Sequence, residues 1–100
     1  MKTLEEIKST LASHKEKLRQ NYKVKRIGIF GSYARGEQKE MSDVDIVVEF
    51  EKPIGLKFFE LADYIENLLG RKIDILTPAG INSIRVKKVA EDIKKSIEYV

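Results

Sequence analysis

Asp43 and Asp45 stand one residue apart in "SDVDIVVEF", residues 42–50, at the start of a run that reads as a strand. In an extended strand, residues i and i+2 share a face. The two carboxylates therefore point the same way, their roots roughly 6–7 Å apart. Val44, Ile46, Val48 and Phe50 point the other way, toward a core. Like charges on one face repel, and burying either without a partner is costly. A cation between them answers both problems. With oxygen ligands alone and no His or Cys nearby, Mg2+ or Mn2+ suits the pair. Taken alone, D-x-D is better explained as an exposed strand face. Asp74 changes the odds. It lies in "KIDILT", residues 72–77, between Ile73 and Ile75, which should face the core and leave Asp74 on the opposite side. With neighbouring strands in matching register, three carboxylates share one patch. That is the ligand set of a one- or two-metal phosphoryl-transfer site.

The other half of the chemistry is a Gly-Ser pair. Gly31 and Ser32 follow the apolar run Ile27 to Phe30. A glycine there lets backbone approach a ligand closely. Ser32, Tyr33, Ala34 and Arg35 can open a short helix whose free N–H groups attract an anion. The Ser32 hydroxyl adds a donor, and Arg35 offers a fork of donors to phosphate. A plain Gly-Ser turn is the commoner explanation of such a pair in isolation. No Gly-Lys-Ser/Thr follows, so this is not a Walker A loop, and G-x-G-x-x-G is absent too.

The elements that must position these residues can be read from periodicity. Thr3 and Glu6 have capping-box spacing, and Leu4, Ile7, Leu11, His14 and Leu18 predict one buried helical stripe. His14 fits there as a packing residue. "VKRIGIF", 24–30, is a β-branched, aromatic strand. Phe59, Ala62, Ile65 and Leu69 predict a helix stopped by Gly70, with Phe58, Leu61 and Leu68 widening its stripe. "PAGINS" reads as a loop. Val86, Val89, Ile93, Ile97 and Val100 fall on one side of a last helix. Three strands among helices predict a small α+β (α/β) layer fold. The link between the first two strands is too short for a parallel crossover, so an antiparallel or mixed sheet is expected.

One hundred residues with 42% hydrophobic content make one domain, 1–100, and one modest core. With no cysteine, disulfides and zinc–thiolate sites are excluded. No run of 18 apolar residues spans a membrane, and "MKTLEEIKST" lacks a signal-like segment, so the cytoplasm is the expected compartment. The net charge of +3, from 19 basic and 16 acidic residues, describes a mixed surface that neither demands nor excludes nucleic acid.

Taken together, Gly31-Ser32, ten residues, then Asp43-x-Asp45 resembles the G-S-x10-D-x-D motif of the DNA polymerase beta-like nucleotidyltransferase superfamily. The wording "GSYARGE…SDVDIVV" is most similar to its minimal nucleotidyltransferase (MNT) family, and the resemblance spans nearly the whole chain. It implies a three-stranded mixed sheet with helices packed on it. It assigns Gly31 and Ser32 to the triphosphate, Asp43 and Asp45 to divalent metal, and Asp74 to the third carboxylate. Arg35 and Gly36 match the family's "ARG" and would help hold the nucleotide. The implied chemistry is Mg2+- or Mn2+-dependent transfer of a nucleoside monophosphate, AMP from ATP, onto an acceptor hydroxyl.

The family resemblance also implies a partner: a HEPN-domain toxin encoded nearby, adenylylated on tyrosine, with this chain as antitoxin. The small size fits, since larger superfamily members carry extra domains to hold the acceptor. Two rivals stand beside this reading. One is an antitoxin that neutralises by contact alone. The other is an enzyme acting on RNA ends, the less favoured partner. Lys15, Lys17, Arg19, Lys23, Lys25 and Arg26 could form an RNA patch, but Glu16 interrupts them and a solvated face explains them better.

Overall fold

The computed structural model describes residues 3–40 and 42–100. Along the chain run α1 (Leu4–Ser13), α2 (Lys15–Tyr22), β1 (Val24–Phe30), α3 (Gly31–Arg35) and β2 (Val44–Phe50). Then follow α4 (Lys57–Leu69), β3 (Ile73–Leu76), α5 (Pro78–Asn82), α6 (Lys87–Ser96) and β4 (Glu98–Tyr99). The sheet order is β3-β2-β1-β4. β1 runs antiparallel to β2 and β4, while β2 and β3 are parallel. The parallel pair has its helical crossover in α4, and the short link through α3 serves an antiparallel pair, as its length requires.

The mixed sheet is as expected, but among the described residues it has four strands, not three. β4 occupies what the apolar pattern assigns to the tail of the last helix. It is two residues long, too short to display alternation. It pairs Tyr99 with Gly28 and Glu98 with Ile29 of β1, and Val100 N–H donates to Ile27 O at 2.9 Å. Gly28 makes the room: a Cβ there would lie 2.7 Å from Ile97 Cγ2 and 3.0 Å from Tyr99 Cδ1. The Arg26 guanidinium then sits 4.1 Å from the centre of the Tyr99 ring, within cation–π range.

The sheet buries both faces. On one, Ile27, Ile29, Val44, Ile46 and Val48 pack against Ile7, Leu11 and Leu18 of α1 and α2, and Leu61, Ile65 and Leu69 of α4. Each such buried side chain contributes about 1.5–3 kcal/mol, enough in sum to fix the register of β2. On the other face, Phe30 and Val47 pack against Ile81 of α5 and Ala90 of α6.

Several expected stripes shift. The first helix breaks at His14, whose backbone leaves the helix at φ −111° and ψ 10°. Thr10 and Ser13 hydroxyls bond back to the carbonyls of Glu6 and Ser9, a pattern that bends helices. In α4 the buried line is Leu61, Ile65 and Leu69, and Phe59 is 67% exposed. "PAGINS" is not a loop. Pro78 starts α5, capped by Thr77, whose hydroxyl accepts from Gly80 N–H at 3.1 Å. α6 buries Ala90, with Ile93 and Ile97 half-buried, while Val86 and Val89 are exposed. The small Ala90 side chain lets α6 sit close on the sheet, and this turns Val89 outward. Among the described residues, no helix is long and apolar enough to cross a membrane.

Candidate active site

The end of β1 meets the starts of β2 and β3 at one end of the sheet. Phe30 is the register partner of Asp45, and Asp45 is that of Asp74. Adjacent parallel strands in this register bring Asp45 and Asp74 side by side. Asp45 is half-buried and Asp74 exposed.

Asp43 is exposed and lies just ahead of β2, not within it. Both its neighbours are tied. Ser42 Oγ accepts from Lys39 N–H at 2.8 Å, and Ser42 N–H donates to Lys39 O at 3.0 Å. Val44 N–H donates to Lys72 O at 3.0 Å, which anchors β2 to β3 at its first residue. Tyr33, wholly buried, directs its hydroxyl at Ser42 O from 3.5 Å. The sequence places Tyr33 in the short helix but gives neither it nor Ser42 a part in the site. Only their place between the glycine turn and β2 reveals that they hold the two halves of the motif together. Met41, inside the ten-residue spacer, lies outside the described residues.

Gly31 follows β1 directly with φ 71°, a left-handed conformation that favours glycine. A Cβ there would fall onto Asp45 Oδ2 and lie 2.9 Å from Asp45 Cγ. The missing side chain is thus the space the carboxylate occupies. Ser32 is the second residue of the one-turn helix α3, which Gly31 begins, and its side chain makes no hydrogen bond with any described residue. Gly36, at φ 70°, ends that helix, and Glu37 N–H closes onto Ser32 O at 2.9 Å. The observed part of Gly36 is therefore to stop α3. Arg35 projects from the last turn, its Nε donating to Glu37 Oε1 at 3.2 Å.

Asp45 is electrostatically stressed. Burial pushes its carboxyl above the usual range, Asp74 and then Asp43 add repulsion, and Arg35 offsets part of this. The donors are carboxylate oxygens only, the set a hard divalent ion takes. Among the described residues, no three carboxylate or imidazole groups are gathered closely enough to form a ready cage. The fit is that of an acidic pair, Asp45 and Asp74, with Asp43 beside it. A divalent cation would relieve the repulsion that Asp45 carries.

The model of the nucleotidyltransferase domain family matches residues 11–100. The chain belongs to that family. A relative from Thermococcus cleftensis, named protein adenylyltransferase MntA, is 50% identical, covering 100% of this chain and 98% of its own. A solved structure of a candidate minimal nucleotidyltransferase superposes with TM-score 0.73 at 28% identity, covering 97% of this chain and 95% of that one. A structure of a tri-AMPylated Shewanella oneidensis HEPN toxin in complex with an MNT antitoxin shares the fold. Its TM-score is 0.59 at 20% identity, covering 93% of this chain and 70% of that one. The chain is thus a nucleotidyltransferase of the minimal kind, as its motif resemblance implies. In this minimal nucleotidyltransferase the Gly-Ser turn and the D-x-D strand are joined by direct contact between Gly31 and Asp45.

Proposed function

We propose that this nucleotidyltransferase transfers AMP from ATP to a tyrosine hydroxyl of a HEPN-domain partner, and so acts as an antitoxin. The observation that carries the reading is the seat of the Asp45 carboxylate in the space beside Gly31. A triphosphate at the Gly31-Ser32 turn would have its reacting end against the carboxylates. The T. cleftensis relative's name supports protein as the acceptor, and the S. oneidensis complex supports a HEPN toxin as that protein.

In this reading Gly31 N–H, the free Ser32 hydroxyl and Arg35 hold phosphate oxygens. Asp43, Asp45 and Asp74 would hold Mg2+ (or Mn2+), which supplies Lewis-acid neutralisation of the phosphates. The tyrosine oxygen bonds to the α-phosphorus, the bond to the bridging oxygen breaks, and pyrophosphate leaves. Asp74, exposed beside Asp45, takes the phenolic proton. Gly36 contributes by fixing where α3 ends. Residues 1–100 act as one domain, working in the cytoplasm, where ATP is plentiful.

The test pairs the chain with the HEPN-domain protein encoded beside it, Mg2+ and ATP. Mass spectrometry should find AMP on a partner tyrosine, and replacing that tyrosine with phenylalanine should remove it. A partner neutralised equally well by Asp43→Ala/Asp45→Ala protein would instead support inhibition by contact alone.

A further inference from the structure

A cleft of about 440 Å3 opens between α3 and α6 and shares Gly31 with the phosphate turn. That volume lies in the range of small-ligand pockets. Gly31 and Arg35 line it from α3, Val89, Asp92 and Ile93 from α6, and Phe30 from the end of β1. Val89 and Ile93 are one helical turn apart and form an apolar strip along it. Val89 is 45% exposed, turned toward the cleft by the packing of Ala90 on the sheet. Asp92 makes no hydrogen bond or ion pair with any described residue. It stands on a helix otherwise rich in lysine, with Lys87, Lys88, Lys94 and Lys95. The cleft thus offers an apolar wall, a cation at the phosphate end and an acceptor-only group on the opposite helix.

We infer that this cleft is the nucleoside half of the nucleotide site, and that Asp92 accepts hydrogen bonds from the ribose hydroxyls. The inference rests on the Gly31-Ser32 turn holding phosphate. A nucleotide whose phosphates sit on that turn must place its sugar next to it, and Gly31 and Arg35 belong to both places. A carboxylate has only lone pairs to offer, and a ribose diol presents two donors to meet them. The Val89–Ile93 strip takes the flat apolar face of the base. Apolar side chains left in water gain about 25 cal/mol per Å2 once so covered.

Titration calorimetry on the full chain with Mg2+ tests this, using ATP, 2′,3′-dideoxy-ATP and inorganic triphosphate. Val89→Trp fills the cleft. It should weaken ATP at least tenfold and leave triphosphate within about twofold. Asp92→Ala should weaken ATP roughly tenfold, the loss of charge-assisted hydrogen bonds, and leave the dideoxy analogue unchanged. Both positions are exposed, so both variants should fold; if Val89→Trp does not, Asp92→Ala alone decides. Wild-type ATP affinity in both variants would overturn the inference and leave the phosphate turn standing. Equal losses for ATP and its dideoxy analogue in Asp92→Ala would also overturn it. A wild-type chain that binds neither ATP nor triphosphate would overturn the proposed function as well.

Discussion

At the scale of single residues, Gly31 and Asp45 are one device. Gly31 combines a left-handed φ of 71° with a Cβ position already filled by the Asp45 carboxylate. Gly31→Ala should therefore lower stability by about 1–3 kcal/mol and displace Asp45. Under the proposed function, nucleotidyl transfer should fall roughly a hundredfold, the usual effect of a misplaced catalytic group. Asp45 itself carries a stability deficit. Its carboxyl is raised above the ordinary 3.8, by burial first and then by Asp74 and Asp43. Between 3.8 and the raised value the folded chain binds more protons than the unfolded one. Stability therefore falls as pH rises through that window, and the loss persists at neutral pH. Asp45→Asn should raise the melting temperature at pH 7, with the gain fading below the window. Adding Mg2+ should raise the wild-type melting temperature and have little effect on Asp45→Asn. That Asp45 and Asp74 each face away from the strand's core residues was legible in the sequence, because strand period two fixes faces directly, while their side-by-side placement needed the observed register. The Gly31–Asp45 contact was not, because it depends on strand register, which no local pattern encodes.

At the scale of elements, the site is built by short connections. α3 is one turn long, stopped by Gly36, and Tyr33 reaches from it toward the Ser42 carbonyl ahead of β2. β4 is stitched to β1 only where Gly28 leaves room. Gly28→Val should overpack that place, cost about 1–3 kcal/mol and loosen β4. Hydrogen exchange at the Val100 amide, which donates to Ile27 O, should speed up well before amides of β2 do. Strands β1, β2 and β3 were readable from alternation and β-branched content. Short pieces were not: α5 and β4 are five and two residues long, too short for a period to repeat. The expected α6 stripe keeps Ile93 and Ile97 on the packed side but gives Ala90 the place expected of Val86 and Val89, because valines outweigh one alanine in an apolar pattern. In the folded protein Ala90 is the residue that touches the sheet side, since only a small side chain permits the close approach.

At the scale of the whole molecule, two apolar layers hold a sheet whose charged end stays accessible. The long helices α1, α2 and α4 lie behind the Val44, Ile46 and Val48 face, while α5 and α6 cover part of the other. Asp43 and Asp74 remain exposed at that end. This arrangement leaves the acceptor to come from outside, which is why a partner protein is proposed. The overall plan was legible because the motif's two halves and the third carboxylate fall at or beside the ends of successive strands. The central claim is transfer of AMP, as distinct from transfer of a phosphoryl group or inhibition by contact. Its most direct measurement incubates the chain, the proposed HEPN-domain partner and Mg2+ with ATP labelled on either the α- or the γ-phosphate. The α-label should appear on the partner and the γ-label should leave as pyrophosphate, with Asp45→Ala abolishing transfer. Label from the γ-phosphate on the partner, or α-label transfer undiminished in Asp45→Ala, would contradict the account.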